Sequence, residues 1–300
     1  VSPEARKKFW LDRARTAAIA AHTNAFKINE DVVIPLPRLG DYSDGIERIN
    51  IELSISNKLK LLDELQAFLE GELPLYQDQE TVADPEMTAA RRERALALVI
   101  GTRRRWRWLL DHLDTGTDSA EFRVLSPEWV DRHSALGTRD STVFHVLQDH
   151  TLRVSWKIEV REELRRIFTG REYLPILEGC DAIHQAVLKS RVFVALHMHA
   201  GDGNVHTNIP VNSDNYRMLQ QASQAVARIM RLARSLGGVI SGEHGIGITK
   251  LEYLEAAEIE PFRAYKQRID PQARFNAGKL LAGGDLSNAY TPSFSLLGAE

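Results

Sequence analysis

Residues 191–211, RVFVALHMHAGDGNVHTNIPV, constrain the fold more than any other stretch of this 300-residue chain. An apolar, β-branched run (191–198) and a second one (205–211) flank GDGN, whose Gly, Asp and Asn tolerate the left-handed backbone angles of a tight turn. The pattern predicts a hairpin. A bounded amphipathic helix follows in SDNYRMLQQASQAVARIMRLARSLGG. Ser213 or Asp214 is its expected N-cap, Gly237 stands past its end, and Leu219, Ala222, Val226, Ile229, Ala233 and Leu236 form its apolar face. VISG (239–242) then reads as a short strand, and DVVIPL (31–36) as an earlier one. In chain order the elements run strand, helix, strand, strand, helix, strand. The predicted fold class is α+β, a ferredoxin-like antiparallel sheet with helices on one face plus a large helical insertion.

The insertion reads differently from its flanks. Ile46, Ile49, Leu53, Leu59, Leu62, Leu65 and Leu69 recur at near-helical spacing over 42–73. A charged stretch with a candidate helix at 87–112 follows, broken by DTGTDSA and SALGTRDST. WKIEVREELRRIFTG and REYLPILEGCDAIHQAVLKS read as helices again. The expected organisation is a substrate domain from 1–56 and 156–300, with 57–155 inserted. RRRWRW (103–108) mixes arginine and tryptophan as single-strand nucleic-acid binders do. On a charged helix, however, tryptophans pack inward, and Trp106 and Trp108 as anchors for another domain are the alternative.

Composition narrows the function. A formal net charge of −3 gives no footprint for nucleic acid or anionic membrane. Cys180 is the single cysteine, so no internal disulfide forms and a reducing, cytoplasmic setting is expected. No apolar run is long enough for a transmembrane segment, so any membrane association of a full-length protein would be peripheral. The chain starts at Val1, which is the expectation for a piece of a longer protein.

The hairpin sets His199 and His206 on either side of its turn, with Asn208 two residues on and on the same face. Convergent neutral imidazoles are the usual start of a transition-metal site, yet two ligands are too few for tight binding. An H-x6-H spacing alone is weak, because histidines near turns are ordinarily solvated. SGEHGIGITK (241–250) supplies what is lacking. Glu243 completes a two-His, one-carboxylate set, and His244 is left as a base of near-neutral pKa. The glycines around Glu243–His244 suit close approach of a ligand. His197 shares the parity of His199, and is either an extra ligand or a hydrogen-bonded core histidine.

HAGDGNVH, SGEHGIGITK and DPQARFNAGKLL, together with FKINEDVVIPLPRL and FWLDRARTAA, resemble the C-terminal substrate domain of FAD-linked oxidases of the vanillyl-alcohol oxidase type. That family includes D-lactate, glycolate and D-2-hydroxyglutarate dehydrogenases. The resemblance covers residues 9–39 and about 191–281, and the insertion further resembles large bacterial FAD/FMN-containing oxidoreductases that carry iron–sulfur motifs elsewhere.

The resemblance implies that His199, His206 and Glu243 ligate a divalent Zn or Mn, and that His244 takes the hydroxyl proton of a small 2-hydroxy acid. Arg13 and Lys27, with Thr16, would hold the substrate carboxylate, and Asn208 would place the substrate near the metal. Asn276 and Lys279 would lie near the flavin, with Ala277 where the family usually has proline. No phosphate-binding loop is present, so FAD would be bound mainly by a domain not in this chain, and this fragment alone would be inactive. An electron acceptor or iron–sulfur domain would also lie elsewhere, since one cysteine cannot hold a cluster. The alternatives are a flavin-independent metal-dependent hydrolase and a non-catalytic assembly domain.

Overall fold

Alternation of polar and apolar residues along NVHTNIPVN gives the hairpin's return strand two faces, and Ile28 and Val32 put apolar side chains on one side of KINEDVV. In the computed structural model of the chain, β1 is Ala25–Val33, β2 Ala195–His199 and β3 Asn204–Asn212. The structure describes residues 2–8, 25–77, 82–133, 141–212, 214–247, 249–276 and 279–280. The sheet order is β1-β3-β2, antiparallel throughout, with Asp31 opposite His206 and His197 opposite His206 from the other side.

VISG does not form a full strand. It contributes one antiparallel bridge, Val239 to Val33, with each N–H donating to the other's carbonyl at 2.9 Å. This bridge lies on the outer side of β1, so the order is that of a ferredoxin-like sheet whose fourth strand is reduced to one residue pair. Gly238 lets the backbone approach β1 here, since an added Cβ would lie 2.6 Å from the Val33 carbonyl oxygen.

Cross-strand register sorts the side chains into two faces. Ile28 and Val32 share a face with Val205, Thr207, Ile209 and Val211, and Val32, Val205, Ile209 and Val211 are buried. The helix Tyr216–Ser235 packs on β1 and β3, burying Met218, Leu219, Ala222, Ala225, Ile229, Met230 and Ala233 at helical spacing. Its N-cap is Asn215, whose side chain accepts from the Met218 N–H, rather than Asp214, and Ser213 lies outside the described residues. Gly237 ends the helix at φ +74° as the sequence predicts. Opposite that apolar layer, Lys27, Asn29, Asp31, Asn204, His206, Asn208, His197 and His199 share the second face of the sheet. One face of this antiparallel sheet thus packs on the core and the other is polar.

The chain divides into two compact units, Val1–Ile46 with Val192–Glu300, and Glu47–Arg191. The second unit takes in the helices over 156–189 that the sequence assigns to the substrate domain. Within it, Ile55, Leu59, Leu62, Leu65 and Leu69 of the helix Leu39–Glu70 join Ala95, Val99, Trp106 and Leu109 of Pro85–Asp111 in one core. Asp84 caps the latter helix by accepting from Glu86 N (2.8 Å) and Met87 N (3.0 Å). Trp106 is fully buried, and its indole N–H donates to Glu159 at 3.0 Å. It is a core residue, as the inward-packing reading of RRRWRW holds, and not a docking anchor. Trp108 packs partly buried against the same core and stacks on His112. Cys180 is buried, and burial pushes its thiol up to about 12.

Candidate functional site

The polar face becomes a site because the hairpin turn and the loop after Val239 meet on it. Asp202 N donates to the His199 carbonyl at 3.1 Å, and Asp202 Oδ1 accepts from Asn204 N at 3.1 Å. Gly203 has φ +77°, its carbonyl accepts from Ile34 N at 2.9 Å, and a Cβ there would sit 2.1 Å from the Ile34 oxygen. Glycine is the residue this turn can accept. The result aims both imidazoles one way, with the His199 and His206 ring centroids 5.5 Å apart.

Glu243 reaches the same point from the other loop. His199 Nε2 lies 3.7 Å from Glu243 Oε1, and His206 Nε2 lies 3.9 Å from Oε2. One ligand atom from each of the three lies within 4.8 Å of the others, an arrangement that could hold a metal ion. His206 is buried, and burial lowers its pKa, offset in part by Glu243. Gly242 permits the approach of this loop, since its Cβ would fall 2.7 Å from Asn204 Oδ1.

His244 follows, its ring centroid 5.1 Å from that of His206 and its Nδ1 3.6 Å from Asp31 Oδ1. Asn208 stands on the same face as His206, and its Oδ1 is buried without a hydrogen-bond partner among the described residues, as is Asn204 Oδ1. Two orphan acceptors beside a His, His, Glu cluster fit a polar ligand or a hydrated cation. Lys27 is exposed and shares this face by register. His197 is exposed rather than a core histidine, because it lies across from His206 on the open face. Asn276 and Lys279 are exposed after the helix Ala256–Ile269, and their carbonyls accept from Lys266 Nζ at 2.7 and 3.3 Å. Arg13 and Thr16 lie outside the described residues.

Three residues of the face carry no signal recognised in the sequence. Asp31 is fully buried, and its Oδ2 accepts from the N–H groups of Gly242 (2.7 Å), Glu243 and His244 (3.1 Å). Lys250 Nζ donates to Asp31 Oδ1 at 2.6 Å and lies 3.3 Å from Glu30 Oε2. Burial opposes ionisation of Asp31, but the Lys250 ammonium and the amides of Glu243 and His244 outweigh it and hold the carboxyl far below the usual range. Asn204 Nδ2 donates to Glu243 Oε1 at 2.6 Å. An aspartate in the middle of a β-branched strand, a poor strand former, was the available clue for Asp31.

Residues 175–280 match the profile of the family described as FAD linked oxidases, C-terminal domain. The match contains the hairpin and the Glu243–His244 loop, and residues 9–39 fall outside it. Glycolate oxidase subunit GlcD of Bacillus subtilis (strain 168) is 36% identical over 105 residues, 34% of this chain and 22% of that protein. D-2-hydroxyglutarate dehydrogenase of Stutzerimonas stutzeri (strain A1501) is 38% identical over 90 residues, 28% of this chain and 19% of that protein. D-lactate dehydrogenase of Archaeoglobus fulgidus is 43% identical over 86 residues, covering 28% and 19% respectively. The chain thus spans about a fifth of the length of these relatives. No helix among the described residues is long and apolar enough to cross a membrane.

Proposed function

We propose that this chain, whose residues 175–280 are a C-terminal domain of the FAD-linked oxidases, supplies the substrate- and metal-binding face of a flavin-dependent oxidoreductase that oxidises a small 2-hydroxy acid to the 2-oxo acid. The observation that carries the reading is the convergence of His199, His206 and Glu243, with ligand atoms within 4.8 Å of one another, beside His244. Oxidation of such a substrate removes a proton from the hydroxyl and a hydride from the carbon that bears it. When bound, a divalent ion such as Zn or Mn lowers the hydroxyl pKa, and FAD accepts the hydride.

The chain's own residues do the rest. His199, His206 and Glu243 offer two neutral nitrogens and one carboxylate, leaving positions open for substrate oxygens. His244 takes the hydroxyl proton. Its Nδ1 lies 3.6 Å from Asp31 Oδ1, so Nε2 is the nitrogen available to the substrate. Asn208 accepts from the substrate through its unpartnered Oδ1, and Lys27 pairs with the substrate carboxylate, joined by Arg13 and Thr16. Asn276 and Lys279 would help hold the flavin, bound mainly by a domain outside this chain, and an acceptor or iron–sulfur domain elsewhere would take its electrons.

The test uses the full-length gene product. Flavin absorbance is followed while a panel of D- and L-2-hydroxy acids is added. Bleaching by one of them, abolished in His244→Ala, supports the reading. No bleaching by any, together with metal-dependent ester or amide cleavage, would replace it with a hydrolase.

A further inference from the structure

We propose that Asp31, supported by Lys250, is a positioning residue for Glu243 and His244, gathering three consecutive backbone N–H groups so that both side chains leave the loop toward the polar face. The inference rests on the reading of that face as a metal and substrate site. It adds two residues to it, from opposite ends of the first unit's sequence, that touch neither ion nor substrate.

The argument starts from cost. A carboxylate at 0% exposure and an ammonium at 3% are expensive to bury, and a buried ion pair is often no more stabilising than an apolar substitute. Stability alone therefore does not account for the pair. Its geometry does. Asp31 sits opposite His206 in the ladder, so its side chain points into the same face as the ligand. Oδ2 receives Gly242, Glu243 and His244 N–H groups, the concave array of successive amides that ordinarily binds a free anion. Here the anion is internal. Oδ1 takes Lys250 Nζ at 2.6 Å, and Nζ also donates to the Asp31 carbonyl at 3.1 Å, which fixes the carboxylate's rotation. Position 242 leaves no room for a side chain, because Asn204 Oδ1 and Val33 Cγ2 stand 2.7 and 3.0 Å from where its Cβ would be. The loop is held from both sides, by Asp31 beneath and by Asn204 at the Glu243 carboxylate.

The experiment uses the 300-residue chain and Co2+ as the probe. Affinity is measured by competition with a chelator, coordination by the visible Co2+ absorption, and loop order by amide hydrogen exchange of the peptide spanning 241–247 without metal. Asp31→Asn keeps the shape but turns one acceptor into a donor. The expected result is Co2+ binding weakened by roughly 10–100-fold, the usual loss when a group supporting a ligand is removed. An altered absorption band and faster exchange of the 242–244 amides are expected with it. Should Asp31→Asn fail to fold, Lys250→Met carries the test, with the same changes in smaller degree. Lower thermal stability with wild-type Co2+ affinity, spectrum and exchange in both variants overturns the proposal. A wild-type chain that binds no Co2+ overturns the metal reading and this inference together, whereas wild-type binding that neither variant alters overturns this inference alone.

Discussion

Asn204 and Glu243 are joined by a 2.6 Å hydrogen bond from Nδ2 to Oε1. The bond ties the first residue of β3 to a loop 39 residues away, and it leaves the second carboxylate oxygen, Oε2, on the His206 side. Asn204→Ala removes the donor and lets the carboxylate rotate. Calorimetric titration with Mn2+ should show binding weaker by roughly tenfold. Unchanged affinity would mean that the carboxylate finds its ligand position unaided.

Gly203→Ala tests the turn that aims the imidazoles. A side chain at φ +77° costs about 1–2 kcal/mol, and the contact with the Ile34 oxygen adds to it. Urea unfolding should show at least that loss, with weaker metal binding alongside. A neutral effect on both would show that the turn adopts another conformation without penalty.

Trp106→Ala tests the second unit's core. Its ring is wholly buried, so truncation leaves a cavity, while Glu159 loses the indole donor but keeps Arg105 and the Ser155 N–H. The expected loss is about 3–5 kcal/mol in chemical denaturation. A loss below roughly 1 kcal/mol would be that of a surface residue and would contradict the packing.

His184 predicts a pH dependence of stability that has no connection with the site. Burial lowers its pKa from 6.5, with Asp181 pulling up and Arg161 down. The unfolded chain therefore binds this proton more readily than the folded one, and stability rises with pH. The contribution is intact above 6.5 and is lost as pH falls through and below that value. Unfolding free energies at a series of pH values should fall less steeply on acidification in His184→Gln than in wild type. Parallel slopes would refute the assignment.

The sequence was legible where one residue type leaves little choice. GDGN with flanking β-branched runs led to the hairpin, and the parity of His199, His206 and Asn208 led to a common face. Leucine spacing led to the long helix now bounded as Leu39–Glu70. What stayed hidden depends on contacts distant in the chain. Asp31 meets the amides of residues 242–244, and Lys250 meets Asp31, through tertiary folding alone. VISG carries the composition of a strand, yet it pairs through a single bridge, Val239 to Val33. Asn215 outcompetes Asp214 as the cap because its own side chain reaches Met218 N at 3.1 Å.

The most direct test of the central claim is the zinc content of the 300-residue chain after equilibrium dialysis against Zn2+, measured by elemental analysis for wild type, His199→Ala, His206→Ala and Glu243→Gln. The account predicts one ion per wild-type chain and a clear fall in occupancy in each variant at the same free Zn2+. Binding that survives all three substitutions, or a wild-type chain that retains none, would contradict it.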